Sequence, residues 1–168
     1  GAESLRLVPV MHAQAEAYES VGRYDEAIGA LGRARELRRS VVGPQHLDFA
    51  FSCFNQAGLI ARQANDAETN STAAKRSQLL LRAAELGVEA SVAAVAAGDV
   101  EQANEFVEDL LEMVGDEDED ARQDANGERA GPARLLRERL NLTAPDTVHA
   151  HQARRHKRKA GGEAAEDE

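Results

Sequence analysis

The sequence predicts an all-α protein, a helical-hairpin array carrying a charged C-terminal tail, and three observations lead there. Apolar residues recur at spacings of three and four through residues 1–114, and no stretch alternates with period two for long enough to form a strand. Glycines at Gly22, Gly43 and Gly98 interrupt these apolar-periodic segments as helix stops. Only 4% of the 168 residues are aromatic and Trp is absent, so the core must be filled by Ala, Leu and Val, a composition that favours helix.

Six helices are expected. Met11–Val21 is the first, with Pro9 tolerated in its first turn and Gly22 as its stop. Tyr24–Val42 is the second, carrying Ala27, Ile28, Leu31, Ala34 and Leu37 on one face and stopped by Gly43-Pro44. Asp48–Ala64 is the third, bearing Phe51, Phe54, Ala57, Leu59 and Ile60. A polar stretch, Asn65–Ser71, precedes Thr72–Leu86, which Gly87 is expected to close. Val88–Ala97 and Val100–Val114 complete the set, separated at Gly98.

The formal charge is -10, from 30 Asp+Glu and 20 Lys+Arg. Such a surface repels phosphate at long range, so nucleic acid or anionic lipid is left only a local basic patch. One cysteine, Cys53, makes neither an intrachain disulfide nor a Cys-rich zinc site and reads as a small core residue. The apolar stretch within Gly1–Val10 is too short for a signal-peptide core, and no run approaches the ~20 apolar residues of a membrane span. The expected location is intracellular, cytoplasmic by default, with nuclear or organellar compartments left open. A chain that starts at Gly1 implies processing or a fragment boundary.

The charges sort into blocks beyond residue 114. Asp116–Asp120 is wholly acidic, Arg154-Arg155-His156-Lys157-Arg158-Lys159 is basic, and Glu163–Glu168 is acidic again. All aromatics lie at or before Phe106, and after residue 114 the large aliphatics are Leu135, Leu136, Leu140, Leu142 and Val148. This region buries too little to offset its ordering entropy and is expected to be mostly disordered. The expected organisation is a helical array over 1–114, an acidic linker over 115–131, a short basic amphipathic helix over 132–143 as a candidate cap, and a charged tail over 144–168.

An internal match supports a repeat. Glu16–Ala27 and Ala94–Ala103 share helix, glycine turn, acidic first turn and a small inward Ala. The pattern Ala15-x-x-Tyr18-x-x-x-Gly22-x-Tyr24-x-x-Ala27-x-x-x-Leu31-x-x-Ala34 resembles the tetratricopeptide consensus. The continuation Arg38–His46, followed by Ala57-Gly58-Leu59-Ile60, is similar to the longer, ~42-residue repeat of kinesin light chains. The second repeat departs at Ala64, where a turn glycine is usual, and by the insertion Asn65–Ser71; the third has Val100 in place of an aromatic.

The resemblance implies a right-handed superhelix of about three repeats, an α-solenoid whose first helices line a concave groove for a partner segment. It implies an Asn at Asn55 that grips ligand backbone by donating and accepting at once, with Ala13 and Glu89 at the equivalent places of the other repeats. It further implies that His12, Glu16, Glu19, Phe51, Phe54, Asn55, Gly58 and Arg62 face the groove, and that the partner carries apolar anchors with some basic residues. Plainer roles compete: Phe51 and Phe54 as core between repeats, Asn55 as a bond to a neighbouring helix, His46 as a helix-start residue.

The tail offers weaker chemistry. Asp116–Asp120 lacks the central glycine and distal Glu of a calcium loop and reads as a solvated linker. His149, His151 and His156 have neither Cys nor a carboxylate pair to complete a metal set. Arg154, Arg155, Lys157, Arg158 and Lys159 suit an acidic protein face, import recognition or, without interleaved aromatics, RNA backbone. The function expected is therefore a non-catalytic protein–protein interaction module, an adaptor or assembly subunit with no cofactor, metal or small-molecule substrate. The alternative is a structural ribonucleoprotein subunit contacting RNA through the tail. No phosphate loop, metal-ligand cluster or acid/base pair suggests an enzyme.

Overall fold

The computed structural model describes residues 2–66 and 72–114. A short 3-10 helix, Ala2–Arg6, leads into five α-helices: α1 (Leu7–Glu19), α2 (Tyr24–Val42), α3 (Leu47–Asn65), α4 (Ala73–Ala96) and α5 (Val100–Val114). All regular structure among the described residues is helical, as the periodicity requires. The linker 115–131, the segment 132–143 and the tail 144–168 lie outside the described residues.

Local chemistry accounts for most of the boundaries. Pro9 sits in the first turn of α1, where its missing N–H costs no helical hydrogen bond. His46 starts α3 as the sequence suggests, its Nδ1 accepting the Asp48 backbone N–H at 3.1 Å. Thr72 Oγ1 accepts from Lys75 N–H at 3.2 Å ahead of α4, and Asp99 Oδ1 accepts from Gln102 N–H at 2.9 Å ahead of α5.

The two matched segments close identically. Before α2, Gly22 N–H donates to the Glu19 carbonyl and Arg23 N–H to the Tyr18 carbonyl, both at 2.9 Å. Before α5, Gly98 N–H donates to the Val95 carbonyl and Asp99 N–H to the Ala94 carbonyl, again both at 2.9 Å. Gly22 and Gly98 hold φ of +74° and +86°, the left-handed conformation that this helix stop needs and that side chains resist.

One expected break is absent. Gly87 does not close a helix; α4 runs through it, so among the described residues five α-helices stand where six were expected. Gly87 is buried, and Ala83, Gly87, Ala90 and Ala94 recur at spacings of four, three and four along α4. The neighbouring helix α3 offers its own small stripe of Ala50, Cys53, Ala57, Ala61 and Ala64, all buried. Two small-residue faces let the backbones approach closely, and the burial gained outweighs the ~1 kcal/mol that a helical glycine costs relative to Ala. The Gly98 turn therefore joins α4 to α5, and the third hairpin has no separate first helix.

The arrangement remains an array of neighbouring antiparallel helices. Helix α3 is its centre, packed against α2, α4 and α5, while α1 packs on α2 and α4 on α5. Helix α3 meets α1 at the Glu19–Arg62 pair and packs on α5, which groups α1, α3 and α5 as one layer with α2 and α4 as the other. The core follows this layout. Ile28, Leu59, Ile60, Leu80 and Leu110 fill a cluster reaching from α2 to α5, and Phe49, Cys53, Ala90 and Phe106 fill a second one. Phe49 and Phe106, both 1% exposed, are its aromatic anchors, each worth ~1.5–3 kcal/mol in burial.

Candidate functional site

The residues that the resemblance implies for a groove fall on two helices. On α1, His12, Glu16 and Glu19 are spaced four and three apart and so share a face. On α3, Phe51, Asn55, Gly58 and Arg62 share a stripe at spacings of four, three and four, with Phe54 at its edge. The two faces meet where Arg62 Nε donates to Glu19 Oε1 at 2.6 Å and its Nη2 to Glu19 Oε2 at 3.2 Å, a two-pronged ion pair between α1 and α3.

A third helix borders the stripe on the other side. Phe106 of α5 stacks on Phe54 with ring centroids 4.5 Å apart and meets Phe51 edge-on at 5.1 Å. Met113 lies beside Gly58, and Asn65 Nδ2 donates to the Met113 carbonyl at 2.9 Å. Phe51 and Phe54 are consequently half-buried and Gly58 is buried. Phe54 and Gly58 take part in the packing between α3 and α5. Phe51 is half-buried by the same aromatic contact and keeps an exposed part.

Asn55 differs from its neighbours. It is half-buried in the middle of the α3 stripe, and its side-chain amide makes no hydrogen bond among the described residues. The bond to a neighbouring helix that competes with a ligand role is therefore not made. Glu89, expected at the equivalent place of a third repeat, is elsewhere: it sits on α4, its Oε2 accepting from Arg35 Nη1 at 3.5 Å. The uninterrupted α4 puts it in the opposite layer.

Charge along the α1–α3–α5 layer is mainly acidic. Glu16 is exposed, and Asp109 lies between Phe106 and Met113 on the side of α5 that borders α3. Partial burial, then the carboxylates of Glu105, Glu112 and Glu108, push the Asp109 carboxyl above its usual range. His12 moves the other way: burial, then the nearby Arg38 guanidinium, hold it below 6.5, with Glu16 opposing. Its Nε2 is buried without a hydrogen bond, so the ring belongs partly to the packing between helices.

Arg38 escaped the sequence reading. From α2 it donates through Nη1 to Ser52 Oγ at 2.8 Å and to the Asp48 carbonyl at 3.1 Å, pinning the start of α3 beside His12. No spacing within α2 signals this, because the partner residues come from another helix. Cys53 is buried, as expected of a core residue; burial and Glu89 push its thiol up to about 12.

On the other side of the molecule, Arg35, Gln56, Arg82, Glu85, Leu86 and Glu89 line an open polar cleft of about 250 Å³. Among the described residues no group of three or more His, Cys, Asp or Glu is placed to hold a metal ion. No helix among them is long and apolar enough to cross a membrane. The acidic run Asp116–Asp120, the histidines from His149 to His156 and the basic residues Arg154, Arg155, Lys157, Arg158 and Lys159 lie outside the described residues. Comparison with protein-family models, with curated proteins and with solved structures finds no match to this chain.

Proposed function

We propose that this chain is a non-catalytic interaction module that holds a cationic, apolar-anchored partner segment along the α1–α3–α5 layer. The observation that carries the reading is Asn55, a half-exposed amide at the centre of the layer with no hydrogen-bond partner among the described residues. A side-chain amide offers one acceptor and two donors, which suits the alternating N–H and C=O of an extended backbone. The exposed part of Phe51 beside it supplies apolar contact. Glu16 on one side and Asp109 on the other favour Lys and Arg in the segment and disfavour acidic ones. The resemblance to tetratricopeptide repeats supports the same mode of binding.

The test is a selection from a displayed library of random peptides on the whole chain. Selected peptides should carry Lys or Arg beside Leu or Phe, and they should bind more weakly as salt rises. Asn55→Ala should weaken them about tenfold, the loss expected for a backbone hydrogen bond plus its stranded partner. Glu16→Lys should weaken them further and leave folding intact, since Glu16 is exposed. Peptides indifferent to both substitutions would show that the binding surface is elsewhere.

A further inference from the structure

We propose that the leucine-bearing segment 132–142 of this same chain packs across an apolar stripe on the outer face of α1. The stripe consists of Leu7, Val10 and Ala17 at helical spacing, interrupted by Gln14 alone, and Val21 continues it in the turn that follows the helix. Leu7 is 52% exposed, Val10 54% and Val21 67%. Of the five exposed large apolar side chains among the described residues, these three share one strip of surface; Val92 and Val100 stand apart. The inner face of α1 is already satisfied by Val8 and Ala15, both 3% exposed, so the outer stripe is surplus to packing within the array. No charged side chain interrupts it, unlike the outer faces of α2 and α5.

The occupant is identified by where the described chain ends. Glu19 pairs with Arg62, and Asn65 bonds the Met113 carbonyl, so the C-terminal ends of α1, α3 and α5 lie at one end of the molecule. Val114 and Val21 are thus separated by about two helix spacings, roughly 20 Å at 8–10 Å each. Residues 115–131 reach up to ~55 Å when extended, more than enough for the crossing. In the segment that follows, Leu136 and Leu140 stand four apart with Leu135 beside them, and Arg134, Arg137 and Arg139 supply a polar remainder. The acidic outer face of α5 is nearer and attracts the arginines, but it has nowhere to bury leucine. The apolar stripe of α1 does.

Cross-linking in the full chain tests this. In a Cys53→Ala background, Leu136→Cys is combined in turn with Val10→Cys on the stripe, Glu105→Cys on the outer face of α5, or Asn55→Cys on α3. A short bismaleimide is applied at low protein concentration. The Val10 pair should give linked monomer about tenfold faster than either other pair, through a raised effective concentration. Leu140→Asp should erase that advantage. Equal rates at the three positions, or no linkage at Val10, would overturn the proposal. So would linkage fastest at Asn55, which would seat the segment on the α3 stripe, or linked dimers at Val10, which would make a second copy the occupant.

Discussion

Helices α1 and α5 flank the same central helix in the same layer, yet their outer faces are opposite in kind. Helix α5 buries Ala103, Phe106, Val107, Leu110, Leu111 and Val114 and turns Glu101, Glu105 and Glu112 to solvent. Helix α1 buries only Val8 and Ala15 fully and turns Leu7, Val10 and Ala17 outward. The turns at Gly22 and Gly98 use the same pair of hydrogen bonds, so the difference does not come from hairpin chemistry. It comes from what each helix must face. An array of helices is soluble at an end only where the last helix has a polar outer side; α5 meets that condition by itself and α1 does not.

The largest test of this contrast is Phe106→Ala. Phe106 is 1% exposed and touches both Phe51 and Phe54, so truncation should cost about 3–5 kcal/mol. Urea denaturation should show the lower midpoint, with amide exchange rising most in α5. If α5 were held mainly by its chain connection, the loss would be far smaller.

The two turns should respond alike. A Cβ at Gly22 or Gly98 meets nothing within 4 Å, so Ala at either position costs backbone strain alone, about 1–2 kcal/mol. Thermal unfolding of both variants would expose any inequality and so break the equivalence of the hairpins.

The pH response should separate the two ends. The depressed His12 value means that the native state resists a proton the unfolded chain accepts. Its stabilising contribution is present above 6.5 and is lost as pH falls through the native value. Asp109, raised above 3.8, has the opposite sign: acidification toward 3.8 relieves the cost of its partly buried charge and its repulsion with Glu105, Glu112 and Glu108, and stability from this group grows. His12→Gln should flatten the slope between neutral pH and mild acid, and Asp109→Asn the slope just above 3.8, each followed by denaturant midpoints. The smallest effect belongs to Val10→Ser. At a half-exposed position it should change stability by less than about 0.5 kcal/mol, an effect a denaturation curve will barely register.

Much of this was legible in residue spacing. Helix α2 begins and ends where its apolar periodicity and Gly43-Pro44 place it, and His46 caps α3 as its position suggested. Phe51, Asn55, Gly58 and Arg62 were named through the resemblance to tetratricopeptide repeats, and their spacing of four, three and four puts them on one face of α3. Gly87 was misread because glycine is a helix stop and also the best surface for close helix approach, and only the small-residue face of α3 distinguishes the two uses. Phe106 and Arg38 were overlooked because their importance lies in partners on other helices: Phe51 and Phe54 for one, Ser52 and the Asp48 carbonyl for the other.

By itself, then, the sequence determined the helical class, the turns at Gly22 and Gly98 and the helix start at His46, because backbone conformation and capping depend on neighbours within a few residues. The tertiary structure decided that α4 runs through Gly87, that α5 seals the aromatic edge of α3, that Asn55 keeps an open amide, and that His12 and Asp109 shift in opposite directions. Each of these depends on burial and charge supplied by residues distant in the chain, which no local pattern encodes.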